Sequence, residues 1–245
     1  MQLPARLELL IAGKVGAAWW VCSRLVPAGF IPAPLPVLAR FKELLPGALA
    51  GHTAASLGRV AAALVLSLLT AVPAGMAIGR SRTAERLLAP VIYILYPVPK
   101  INLLPVLMLL FGLEDSSKVL IVFLVLFFQV LVSVRDASRG VPEQYPLSLR
   151  SLGGTSRQAA RYVLVPSLVP ALLSSLRVGI GTALAVLFFS ETFGTRAGLG
   201  WFVMGSWMRL SYVDMAAGIL CLGLLGLLLF LAIDALHGRL YRWQV

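Results

Sequence analysis

Charge is scarce in this chain: 13% of its 245 residues are Asp, Glu, Lys or Arg, about half the share that covers the surface of a soluble domain. Cysteine is nearly absent. Cys22 and Cys221 lie far apart inside apolar runs with no CxxC spacing, which excludes a disulfide scaffold, a zinc site and a redox pair and reads both as small buried hydrophobes. There is no Gly-x-x-x-x-Gly-Lys-[Ser/Thr] run, so the usual cradle of backbone amides for a nucleotide phosphate is not built here. No internal repeat at a fixed period occurs.

What fills the chain instead is hydrocarbon. With 59% hydrophobic residues and a mean hydropathy of +0.91, lipid is the solvent that suits most of it. The 21 Lys and Arg exceed the 10 Asp and Glu, for a formal net charge of +11. Basic residues at the ends of apolar segments produce such an excess through the positive-inside bias. No basic patch interleaved with aromatics occurs, so no nucleic-acid partner is expected.

A transmembrane helix needs about 20 mainly apolar residues. Five runs qualify, at approximately 57–78, 87–113, 119–134, 168–190 and 215–236. A sixth candidate, 7–26, carries Lys14 near its middle, where a charge costs about 2.5–3.5 kcal/mol. It lacks a convincing small-residue cleavage site and reads as a retained first helix, with Trp19 and Trp20 toward the outer interface. Pro32, Pro34 and Pro36 make residues 30–36 an extended loop. The predicted fold is all-α and polytopic: six transmembrane helices forming one domain over residues 1–245.

With the N-terminus in the cytoplasm, eleven basic residues fall inside and seven outside, Arg59 and Lys118 among the latter. Both termini are therefore predicted cytoplasmic. The loop of about 135–166 carries most of the bias. In it, residues 147–152 are predicted as a short helix that Gly153 and Gly154 end, and Thr155 with Gln158 forms a capping box opening a second helix. Arg157 and Arg161 share one face of that second helix, and Pro166 stops it at the membrane. Such an element has a docking shape; a solvated basic turn that anchors topology is the alternative.

Inside the membrane, Pro97, Pro99 and Pro105 break the third run and free backbone carbonyls, tolerated at this depth only against protein or a water-lined cavity. A broken span points to a pathway. Lys100 and Asn102 offer it a cation and an amide for an anionic head group, unless the lysine snorkels and the asparagine bonds a neighbouring helix. Arg177 must face protein or water, as a pathway residue or as the partner of a carboxylate or helix end. Glu191, followed by Gly198-Leu199-Gly200, suits the outer rim of a pathway. His52 and His237 fall on opposite predicted sides, read as solvated or interfacial residues, and cannot share a metal, so no metal or catalytic site is predicted. Gly75-x3-Gly79, Gly179 with Gly181, and Gly218 with Gly223 and Gly226 read as close-packing devices.

Residues 153–166, Gly-Gly-Thr-Ser-Arg-Gln-Ala-Ala-Arg-Tyr-Val-Leu-Val-Pro, resemble the second half of the loop signature of bacterial ABC importer permeases, a Glu-Ala-Ala followed by a glycine and later by Ile-x-Leu-Pro. Gly153 matches that glycine, and Val163-Leu164-Val165-Pro166 matches the end. Ser56-Leu57-x-Arg59-Val60, Pro97-Val98-Pro99-Lys100-Ile101, Leu104-Pro105, Phe111-Gly112-Leu113 and Glu191 with Gly198-Leu199-Gly200 are similar to the sulfonate, nitrate and taurine branch. The resemblance runs from about residue 19 to Trp243. One departure stands out: Leu147-Ser148-Leu149 occupies the Glu-Ala-Ala positions, after Pro146, and Glu143 lies four residues too early.

The resemblance implies a permease subunit of the inner (plasma) membrane that forms the path for a small organic or inorganic anion. Its implied partners are a second permease copy, as a homodimer, a cytoplasmic ABC ATPase and an extracytoplasmic solute-binding protein. ATP would be bound and hydrolysed by the ATPase, leaving this chain without cofactor or catalysis, and closure below would pass through residues 143–166 to a gate near 96–105. The rivals are an ion-coupled secondary carrier, which predicts paired mid-membrane acids or inverted repeats, and an intramembrane enzyme, which needs a convergent Ser–His or Asp–His set.

Overall fold

The computed structural model describes residues 5–26 and 30–240; Arg242 and Trp243, which end the predicted cytoplasmic tail and the resemblance, lie outside them. In chain order its helices are α1 (Ala5–Leu25), α2 (Pro34–Leu44), α3 (Ala50–Arg80), α4 (Arg82–Leu95), α5 (Leu104–Phe111), α6 (Asp115–Gly140), α7 (Gln144–Ser151), α8 (Ser156–Ala159), α9 (Val165–Glu191), α10 (Leu199–Met208) and α11 (Tyr212–Leu240). Among the described residues there is no strand.

Among the described residues, four helical runs are long and apolar enough to cross a membrane: Pro34–Arg80, Asp115–Gly140, Ser156–Glu191 and Tyr212–Arg239. The bent pair Arg82–Leu95 and Lys100–Phe111 supplies a fifth if it counts as one span. The remaining candidate of the six is α1, a helix of 21 residues in which Lys14 is exposed.

Three prolines behave differently from expectation. Pro34 and Pro36 do not prolong the loop but lie in the first turn of α2, where a missing N–H removes no helical bond and the fixed φ suits the helix. Pro166 does not stop its helix either. A π turn, Ala160–Leu164, joins α8 to α9, and Pro166 falls in the first turn of α9. The wider turn absorbs the lost donor and the ring's clash with the carbonyl one turn back. A second π turn, Leu45–Leu49, does the same around Pro46 between α2 and α3.

Two compact units divide the described residues. In the unit of 57–195 with the residues from 226 onward, α6 packs along α9. The buried stripe on α6 is Val122, Leu126, Val130 and Val134, and that on α9 is Leu176, Ile180, Ala183 and Leu187, both at helical spacing. Hydrophobic burial does not drive helices together in lipid, so close fit and hydrogen bonds decide. Gln129 donates to the Ser175 carbonyl at 3.2 Å and Ser133 to the Ala171 carbonyl at 3.1 Å. Gly75 and Gly79 bring α3 onto α6: a Cβ there would stand 2.9 Å from the Leu131 carbonyl oxygen and 2.5 Å from that of Arg135. Gly181 and Gly223 have open space beside them, so close packing among the described residues does not account for those two.

In the unit of residues up to 56 with 196–225, Gly218 lets α11 approach Phe202 and Val203 of α10, where a Cβ would meet side-chain atoms at 2.8 and 2.7 Å. Cys221 is buried beside the Thr53 hydroxyl at 3.1 Å. Cys22 is exposed on α1, which corrects its reading as a buried hydrophobe. The Trp19 indole donates to the Pro32 carbonyl at 3.1 Å.

Candidate functional site

The sequence between α4 and α5 cannot continue a helix, because Pro97 and Pro99 lack the amide that each turn requires. The two halves meet at 83° across residues 96–99, and the second opens with a 3-10 turn at Lys100–Leu103. A helix end leaves carbonyls short of partners: the Lys100 ammonium donates to the Leu95 and Tyr96 carbonyls at 2.7 and 2.6 Å, the first of which also accepts from the Val98 amide at 3.3 Å. It also lies 4.6 Å above the Phe128 ring. A cation there suits the negative end of the helix dipole. The lysine is thus a cap on the break, and it also lines a cavity of about 460 Å³ with Pro99, Phe128, Gln129 and Thr182. Asn102 is exposed and its side chain makes no hydrogen bond among the described residues. Pro97 faces an open groove of about 780 Å³, lined also by Arg86, Tyr93 and Arg135.

Arg177 is placed apart from this break. It pairs with Asp234 and lies 5.0 Å over the Phe230 ring, which realises the carboxylate partner that was one of its two readings.

Glu191 sits on no open rim. It is fully buried and its carboxylate accepts from the Arg59 guanidinium at 2.6 Å; the same guanidinium reaches Asp115 at 2.6 Å and the Thr195 hydroxyl at 3.2 Å. Arg59 is 5% exposed. Lys118, also buried, donates to the Leu113 carbonyl. The charge count assigned Arg59 and Lys118 to the outer side of the membrane; both side chains are buried there against polar partners within the protein. The sequence signal that could have found the pair is the rule that an ionisable side chain in an apolar run has a partner of opposite sign. His52, read as solvated or interfacial, is half-buried: its Nδ1 accepts from the Gly198 amide at 3.2 Å and its ring lies tilted against Trp201 and Phe202, at 5.2 and 5.5 Å between centroids.

The 144–164 element forms as its turn chemistry requires. Gly153 has φ +87°, the left-handed region that glycine enters at little cost, and Gly154 lies so close to the Leu149 carbonyl that a Cβ would be 2.7 Å away. Thr155 and Gln158 form the reciprocal capping box that opens α8. Arg157 and Arg161 are both exposed, but the π turn that begins at Ala160 replaces the regular α turn between them.

A proline-broken apolar span beside a cavity, in an all-helical polytopic chain with a buried ion pair, is a build that suits a membrane transport subunit. Residues 71–244 match the family described as binding-protein-dependent transport system inner membrane component. The chain belongs to that family and is an inner-membrane permease subunit of the ABC importer kind. It is 31% identical to the taurine transport system permease protein TauC of Escherichia coli (strain K12), over 92% of this chain and 85% of that one. It is 29% identical to the putative aliphatic sulfonates transport permease protein SsuC of Bacillus subtilis (strain 168), over 96% and 87%. The formylaminopyrimidine transport permease protein ThiX of Halalkalibacterium halodurans is 28% identical, over 92% and 91%. Among solved structures, the MetNI methionine ABC transporter in an inward-facing conformation shares the fold at a TM-score of 0.66 and 19% identity, covering 79% of this chain and 95% of that chain.

Proposed function

We propose that this chain forms half of the translocation path for a small organic anion of the sulfonate class, as the permease of an importer powered by a separate ATPase. The observation that carries the reading is the 83° break at 96–103 beside a cavity with a cationic and amide wall, Lys100 and Gln129. The names of two relatives, for taurine and for aliphatic sulfonates, point to the same chemistry. A second copy of the chain closes the path by two-fold symmetry, a binding protein delivers the solute outside, and ATP stays on the ATPase, so this chain holds no cofactor. Gly153, Gly154, Arg157, Arg161 and Pro166 belong to the coupling element. Pro99 and Lys100 line the pathway cavity, Pro97 lines the groove that shares Tyr96 with it and Asn102 stands exposed in the break, while Arg177 and Glu191 hold helices together through Asp234 and Arg59. Reconstitution in liposomes with the co-purifying ATPase and a binding protein tests this: uptake of a sulfonate is expected to require ATP hydrolysis. Uptake driven by a proton gradient alone would establish the ion-coupled carrier instead.

Two narrower results are expected. A single cysteine at exposed Ser156, with Cys22 and Cys221 replaced by serine, should stay unlabelled by a membrane-impermeant maleimide in intact cells and react after permeabilisation, because the basic loop faces the cytoplasm. Lys100→Met should weaken uptake of an anionic sulfonate by roughly ten-fold, the loss of one charge-assisted contact, and weaken a neutral analogue less. Equal losses for the two solutes would assign Lys100 to capping of the Leu95 and Tyr96 carbonyls alone.

A further inference from the structure

The groove of about 780 Å³ between α4 and α6 carries charge at one end only. Glu85, Arg86 and Arg135 stand at its mouth, at the predicted cytoplasmic ends of both helices. Beyond them the walls are Ala89, Pro90, Ile92 and Val132, with Tyr93 and Tyr96 furthest from the charges. Eleven helical steps separate Glu85 from Tyr96, roughly 16 Å at the α-helical rise, which matches the hydrocarbon depth of one leaflet, about 15 Å. A second cavity, of about 220 Å³, shares Glu85 with the groove and adds Arg80, Arg82 and Arg139 against Glu143. Cations therefore dominate the mouth. Arg135 and Arg139 both meet Glu85, at 3.2 and 2.8 Å, and Arg80 donates to the Val141 carbonyl at 3.1 Å. Arg82 and Arg86 are exposed and make no hydrogen bond or ion pair among the described residues. They lie four positions apart in the first turns of α4, on one face, where a cation opposes the helix dipole instead of serving it. An anion placed there meets two unpaired guanidinium groups and the positive end of a helix.

We propose that the groove seats an anionic phospholipid of the inner leaflet. The phosphate rests against Arg82 and Arg86, and one acyl chain lies along Ala89, Pro90, Ile92 and Val132 toward Tyr96. A hydrated solute anion finds no side-chain donor along those four walls, whereas an amphiphile charged at one end matches them along their length. A zwitterionic head group brings its own ammonium against the guanidinium groups and is the poorer fit. Anchoring of topology accounts for arginines on the cytoplasmic side, but not for an apolar trough of one leaflet's depth beneath them. The seat does not depend on which solute is carried, and it shares only Tyr96 with the cavity that Lys100 lines.

The full chain in mild detergent is titrated with dioleoylphosphatidylglycerol and with dioleoylphosphatidylcholine, which share their acyl chains, and the lipid retained is read by native mass spectrometry. The wild type is expected to hold phosphatidylglycerol roughly ten-fold more tightly, at a saturable site. Arg86→Gln alone should weaken it about five-fold, and the double change Arg82→Gln, Arg86→Gln should bring it to the phosphatidylcholine level. Ala89→Trp, which fills the groove, should weaken both lipids. Arg239→Gln removes one exposed charge from the end of α11 and should retain phosphatidylglycerol as the wild type does. Matched helical circular dichroism shows each variant to be folded. Equal retention of the two lipids by the wild type overturns the proposal, as does phosphatidylglycerol binding that survives the double change. An Arg239→Gln loss as large as that of Arg86→Gln assigns the effect to surface charge in general and overturns it too. Wild-type binding by Ala89→Trp, or displacement of the lipid by an equal concentration of inorganic phosphate, leaves an anion site without a lipid seat and overturns it as well.

Discussion

Arg59→Met is expected to destabilise the folded chain by about 3–5 kcal/mol, since breaking a buried pair leaves the surviving charge in low dielectric. The survivor is Glu191, 0% exposed. The measurement is the unfolding midpoint in mild detergent, with the amount of folded chain in the membrane beside it. Arg59→Met combined with Glu191→Met should recover most of the loss, because replacing both partners by apolar groups of similar volume is often neutral. Asp115→Asn should change stability by no more than about 1 kcal/mol, because Asp115 is 72% exposed on the same guanidinium. An Arg59→Met chain that melts with the wild type would mean that Glu191 draws its support from elsewhere.

Gly154→Val is expected to abolish ATP-driven uptake and stimulation of the ATPase while the chain inserts in normal amounts. Its branched Cβ would be driven into the Leu149 backbone, at 2.7 Å from the carbonyl oxygen, and neither helix can yield without moving the surface they share. Gly153→Val adds a different strain. Nothing crowds its Cβ, but a left-handed backbone costs an L-residue roughly 1–2 kcal/mol, and more when it is β-branched. A graded pair of effects is expected, with Gly154→Val the more severe, read as the ratio of ATPase rates with and without solute-loaded binding protein. Normal stimulation in Gly154→Val would remove the element from coupling.

How much of this was legible in advance differs from residue to residue. The Thr155–Gln158 capping box was, because both halves lie within four residues and the bonds close locally. So was the break at Pro97 and Pro99, since a missing amide cannot be restored by any neighbour. Pro166 was misread because whether a proline ends a helix depends on what the backbone before it does, and the π turn at Ala160–Leu164 is one local remedy among several. The site was less legible than the fold. Lys100 was correctly placed in the break, but its two carbonyl acceptors belong to the end of α4, whose direction relative to the lysine only the bend establishes.

By itself the sequence determined that the chain is a helical membrane protein with a broken third span and a helix–glycine–helix element, because hydropathy, proline and capping chemistry act over a few residues to one span. Only the tertiary structure decided the pairing of Arg59 with Glu191, 132 positions away, of Arg177 with Asp234, and the use of Gly75 and Gly79 rather than Gly181 for close approach. Those choices rest on which faces of distant helices meet, and in lipid, where every face is apolar, composition does not single out the face that packs.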